Sequence, residues 1–152
     1  EEKFKKLLSK FTGKEEWGIK VYADSQKFKG LAYFRAPARK QGAPCPLGQG
    51  RTYLLGKKME EDLKDKVMAQ LNNIAEVIFR EAEKYAFEGK LTKTLPKKLT
   101  GKDKEMILNS AYLVEKEKIS NFQRQIKKLK EKYERAVLDF EISGSWPAYS
   151  FI

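Results

Sequence analysis

Residues 105 to 114 read E-M-I-L-N-S-A-Y-L-V. At the two-residue period of a strand, Ile107, Asn109, Ala111 and Leu113 alternate with Leu108, Ser110, Tyr112 and Val114, so both faces are mostly apolar. A strand covered on both sides fits this pattern, and the rest of the fold is read outward from it. Downstream, Ile119, Phe122, Ile126, Leu129 and Tyr133 follow one another in steps of three and four, which predicts an amphipathic helix. Residues 136 to 142, A-V-L-D-F-E-I, put Ala136, Leu138, Phe140 and Ile142 on one face and Asp139 and Glu141 on the other. That is the pattern of a half-buried strand.

Upstream, Pro96 and the turn-like T-G-K-D at 100 to 103 separate the central strand from K-L-T-K-T-L at 90 to 95, a weakly alternating strand. Before it, Met59, Leu63, Val67, Leu71, Ile74, Ile78, Ala82 and Tyr85 form one stripe on a helix read from Met59 to Phe87, about 40 Å long, with Gly89 as its stop. W-G-I-K-V-Y-A-D at 17 to 24 alternates Ile19 and Val21 against Lys20 and Tyr22, which gives a first strand. The order is therefore strand, helix, strand, strand, helix, strand. This predicts an α+β fold, a ferredoxin-like βαββαβ sandwich whose antiparallel sheet carries two helices on one face and an aromatic C-terminal tail.

Residues 14 to 152 are read as this one domain, interrupted by an irregular loop at 36 to 50 that holds three prolines and three glycines. Residues 1 to 13 are read as the trailing helix of a preceding N-terminal region, with F-K-K-L-L-S-K-F stopped by Gly13. The chain opens on Glu1 and its first methionine is Met59, so missing N-terminal sequence is expected.

The formal net charge is +11, yet only six of the 32 basic residues are arginine, which weakens a nucleic-acid reading in favour of solvated lysine faces. No run approaches the roughly 20 apolar residues of a membrane span, so a soluble, cytoplasmic protein with no membrane contact is expected. There is no histidine and one cysteine, Cys45, which excludes a Cys/His zinc site and removes the commonest general base. Glu60, Glu61, Asp62 and Asp65 are read as favourable charges at the start of the long helix, not as metal ligands. L-G-Q-G-R-T-Y at 47 to 53 lacks the third glycine of a dinucleotide fingerprint. An RNA-recognition sheet needs stacking aromatics on its first and third strands; Tyr22 and Tyr112 are placed for this on the outer face, but the accompanying K/R-G-F/Y signature is absent. No nucleophile, base and orienting group assemble, so no catalytic residue, metal, cofactor or small-molecule substrate is expected.

Four blocks in order, E-E-W-G-I-K-V-Y (15 to 22), G-R-T-Y-L-L-G-K-K (50 to 58), L-N-S-A-Y-L-V (108 to 114) and G-S-W-P-A-Y-S-F (144 to 151), resemble the GvpL/GvpF family of gas vesicle proteins. The closing block of that family typically reads G-P-W-P-P-Y-S-F; Ser145 and Ala148 stand here where the pattern has proline, which implies a less rigid backbone. The resemblance implies an accessory protein of gas vesicle formation, located in the cytoplasm and at the gas vesicle. It would act with the hydrophobic shell protein and other accessory proteins during nucleation or assembly, without catalysis. Trp17, Tyr53, Trp146, Tyr149 and Phe151 are the candidate contact residues, and packing into the core is their competing role. A basic ferredoxin-like nucleic-acid-binding module is the alternative function.

Overall fold

A computed structural model describes residues 1 to 28, 49 to 133 and 137 to 152, with the side chains of 49 to 53 left out of the description. Its centre is the strand the sequence singled out. Labelled in chain order, the elements are α1 (Glu2–Phe11), β1 (Lys14–Ala23), α2 (Gln49–Glu83), β2 (Glu88–Leu91), α3 (Lys97–Thr100), β3 (Glu105–Glu115), α4 (Ile119–Tyr133) and β4 (Leu138–Trp146). Short 3-10 turns span Lys116–Lys118 and Tyr149–Phe151. The protein is mixed α+β, with a four-stranded sheet in the order β2-β3-β1-β4 and every neighbouring pair antiparallel.

Both faces of β3 are covered, as its double apolar pattern requires, and the cover differs from face to face. Across the sheet, Trp17 pairs with Tyr112, Ile19 with Ser110 and Val21 with Leu108, so these residues share one face. On that face Ile19, Val21, Leu108, Tyr112 and Val114 join Val67, Leu71 and Ile78 of α2 and Phe122, Ile126 and Leu129 of α4 in the main core. Tyr112 lies between Phe79 and Phe122, with ring centroids 5.6 Å and 5.4 Å away. On the opposite face Ala111 and Leu113 meet Ala148 and Phe151 of the C-terminal turn, with Phe11 of α1 packed against them.

Several boundaries differ from the sequence reading. α2 begins at Gln49, ten residues before Met59, and ends at Glu83. Glu60, Glu61, Asp62 and Asp65 therefore sit about three turns or more inside the helix, not at its N-terminus. The stripe also stops being buried at its upstream end: Leu63 is half-buried and Met59 is 58% exposed, while Val67, Leu71, Ile78 and Ala82 are covered by the sheet. Gly89 does not stop the helix. The amides of Tyr85 and Ala86 bond back to the carbonyls of Ala82 and Glu83, and Phe87 already donates to Leu113, so Gly89 falls inside β2. A Cβ there would lie 3.2 Å from both Glu83 and Phe79, so glycine lets the helix end close over the strand. β2 accordingly runs from Glu88 to Leu91, earlier than the alternating 90 to 95 segment.

β1 starts at Lys14 and is paired on both sides, which explains why Tyr22 is buried along with Ile19 and Val21. β4 runs on through Gly144 to Trp146 and ends before Pro147. The loop read at 36 to 50 lies outside the described residues except for Gln49 and Gly50, which are helical; Ala136 and Cys45 also lie outside them.

Candidate interaction site

The C-terminal segment is held by a buried carboxylate. Glu16 faces the side of β1 turned away from α2 and α4, directly across from Leu113 in β3 and Trp146 in β4. It is over nine-tenths buried, and a buried carboxylate needs partners. Ser150 supplies them: its amide donates to Oε2 at 2.9 Å and its hydroxyl donates to Oε1. From the edge of the sheet, Lys90 Nζ donates to the Ser150 carbonyl at 2.6 Å. Donor and acceptor groups of one residue are thus fixed by two strands, and Phe151 beside it is pressed onto Leu113.

This anchoring sorts the five candidate aromatics. Phe151 is buried in the second core cluster. Trp17 is half-buried on the other face, packed against the main core, and its indole N–H is buried without a hydrogen-bond partner among the described residues. Gly144 lies flush on the Trp17 ring; a Cβ there would come within 2.6 Å of Cε3, so no larger residue fits without displacement. Trp146 and Tyr149 remain outside, 56% and 72% exposed, on either side of Pro147 and Ala148. The Tyr53 side chain lies outside the description. The structure therefore does not gather the five into one site. It puts two into packing and leaves two on the surface of an anchored turn.

A second reading is corrected by the register. Tyr112 pairs with Trp17 on the helix-covered face and is fully buried, whereas Tyr22 sits across from Met106 after a bulge, so the two tyrosines are not neighbours on an open sheet face. The platform of an RNA-recognition sheet is not formed by them. Around Tyr22 the outer face carries charge instead: Lys102 Nζ lies 4.0 Å from its ring centroid and bonds Glu141 at 2.6 Å, and Lys104 pairs with Asp139. Burial, then the neighbouring Glu141 carboxylate, raises the Tyr22 pKa; the hydrogen bond from Lys102 lowers that of Glu141. The Glu141 shift reflects a surface ion pair and the Tyr22 shift its burial beside that pair, and among the described residues no group of acidic, cysteine or histidine side chains could hold a metal ion.

Glu16 and Lys90 were missed by sequence reasoning. Glu16 stands beside Glu15, one residue before the strand read from 17 to 24, so nothing in the polar pattern marks it for burial.

Comparison with known proteins gives a consistent set of relatives. The family model described as gas vesicle synthesis protein GvpL/GvpF matches residues 1 to 152. Gas vesicle protein L of Streptomyces sp. (strain CB03234) is 25% identical over 150 residues, covering 99% of this chain and 53% of that protein. The crystal structure of the gas vesicle protein GvpF from Anabaena sp. PCC7120 superposes with a TM-score of 0.68 at 19% identity, covering 99% of this chain and 55% of the other. GvpF from Microcystis aeruginosa gives a TM-score of 0.66 at 21% identity, with 99% and 59% covered. The chain thus spans between half and three-fifths of the length of these relatives.

Proposed function

The chain belongs to the gas vesicle synthesis protein GvpL/GvpF family, and on that premise we propose that it is an accessory protein of gas vesicle formation. It binds the hydrophobic shell protein, together with other accessory proteins, during nucleation or assembly, and it catalyses nothing. Its place of action is the cytoplasm and the growing vesicle. The observation that carries this reading is the exposure of Trp146 and Tyr149 on a turn anchored through Ser150, next to the buried Phe151. Aromatic side chains lose little entropy on docking and cover large area, so an exposed pair flanking an anchored residue suits an apolar partner. The net charge of +11 keeps such a complex dispersed.

The strand order β2-β3-β1-β4, with the main core between the sheet and α2 and α4, supports a ferredoxin-like split βαβ arrangement for residues 14 to 152. α1 leaves Phe4, Leu7 and Leu8 exposed along one face, which supports reading residues 1 to 13 as the end of a preceding region that covers them.

The test is retention of purified shell protein on the immobilised chain. The Trp146→Ser/Tyr149→Ser double variant is expected to lose retention while its unfolding free energy stays within about 0.5 kcal/mol of the parent, because both side chains are largely exposed. Undiminished retention by the double variant would remove this face from the function. Tight nucleic-acid binding with a steep salt slope and no retention of shell protein would sink the whole reading.

A further inference from the structure

On the far side of the molecule from β4, a cleft of about 520 Å³ opens between α2 and the β2 edge of the sheet. Phe79, Leu91 and Ile107 contribute to its apolar floor, and Glu76 and Glu83 stand on its rim. Glu76 is paired with Arg80, whereas the Glu83 carboxylate has no ion pair or hydrogen bond among the described residues. With Arg80 also lining the cleft and neutralising Glu76, Glu83 is the one uncompensated charge among the described lining residues, in a chain that carries +11 as a whole.

The strand beside the cleft is an edge. β2 pairs with β3 on one side and with no described strand on the other. Thr92 donates its amide to Asn109, and the alternation of an antiparallel ladder then turns the N–H and C=O groups of Gly89 and Leu91 outward. An open ladder of this kind is a template for another strand. Leu91 is 59% exposed at the cleft, and Phe87, Leu95 and Leu99 nearby in the chain are also exposed.

From these features we propose that the α2–β2 cleft is a docking groove for an extended peptide segment, apolar at its centre and basic at its flanks. The segment adds to β2 as a fifth strand, bonding the outward groups of Gly89 and Leu91. Its central side chain enters the cleft over Leu91 and Phe79, and a flanking lysine or arginine meets Glu83. Backbone pairing supplies affinity, while the apolar floor and the Glu83 carboxylate select the sequence. This site is separate from the Trp146 and Tyr149 face and holds whether or not that face binds shell protein.

The probe is the blocked peptide acetyl-Lys-Val-Leu-Val-Lys-amide, titrated into the isotopically labelled chain. Saturable shifts at the amides of Gly89 and Leu91 are expected. N-methylation of the central leucine should weaken binding about tenfold, near 1.4 kcal/mol, through loss of a ladder bond. Leu91→Asp and Glu83→Gln should each weaken it several-fold with an unchanged circular dichroism spectrum. Replacing both lysines of the peptide by glutamate should abolish binding. Absence of any shift at about 1 mM peptide, a range that still detects very weak complexes, would overturn the proposal. So would equal affinity of the N-methylated peptide, or shifts confined to another surface.

Discussion

At the scale of single residues, Glu16, Ser150 and Gly144 decide whether the C-terminal segment stays on the sheet. Glu16 is buried and accepts two hydrogen bonds from Ser150, so Glu16→Ala removes the acceptor of both. A loss of about 1 to 3 kcal/mol is expected from the broken charge-assisted bonds, measured by denaturant unfolding, with earlier proteolysis at residues 145 to 152. Unchanged stability and protease resistance would mean that Phe151 and the Lys90 bond hold the segment without Glu16. Gly144→Ala tests the other face: its Cβ would overlap the Trp17 ring at 2.6 Å, and overpacking against an aromatic that is itself packed into the main core costs about 1 to 3 kcal/mol. Tyr112 ties stability to alkaline pH. Burial raises its pKa above the ordinary value of 10.0, helped by the Glu83 charge, so the unfolded chain ionises first. The stability it contributes is complete below that ordinary value and falls as pH climbs from it toward the raised folded value. Tyr112→Phe should therefore flatten the loss of thermal stability above pH 10.0, leaving the smaller part due to Tyr22, whose pKa is also raised. An alkaline profile identical to that of the parent would remove Tyr112 from this role.

At the scale of elements, periodicity carried the reading as far as one face of each element can carry it. α4 was legible to the residue, because Phe122, Ile126 and Leu129 are buried at the spacing that identified them. The double apolar pattern of β3 was legible for the same reason, and its cause is now visible: α2 and α4 cover one face, and Phe151 with Phe11 covers part of the other. The ends of α2 were not legible. Upstream of Val67 the helix continues beyond the buried stripe, so the apolar pattern at Leu54, Leu55 and Met59 marks no core. Downstream, Gly89 reads as a helix stop because glycine commonly ends helices, and only the contact with Glu83 and Phe79 shows its other use, admitting a close neighbour. The split role of α2 makes a direct prediction. Met59→Lys should change stability by no more than about 0.5 kcal/mol, as at exposed positions generally, while Leu71→Ala should cost about 3 kcal/mol from transfer and cavity. Comparable losses at both positions would show that the upstream half of the helix is covered after all.

At the scale of the whole molecule, salt dependence distinguishes the ways this protein could hold a partner. Lysines account for 26 of the 32 basic residues. Several are tied up with carboxylates on the surface, as Lys102 is with Glu141 and Lys104 with Asp139. Exposed pairs of this kind contribute little to stability and weaken in salt, so they set solubility more than fold. The hydrogen bond from Lys102 depresses the Glu141 pKa, so the stability from that pair is present above the ordinary carboxylate range and is lost as pH falls through the lowered value. A complex held by lysines against an anionic partner would dissociate steeply as salt rises. A complex held by Trp146 and Tyr149 against an apolar partner should instead persist or strengthen, because apolar contact does not release counterions and excluded salts favour burial. Retention of shell protein measured at about 50 mM and again at about 500 mM salt, a range over which the Debye length shrinks severalfold, is therefore expected to stay constant within a factor of about two, well short of the tenfold steps of 1.4 kcal/mol. A hundredfold loss over that range would move the binding surface from the aromatic turn to the lysine faces, even though the chain remained a member of the same family.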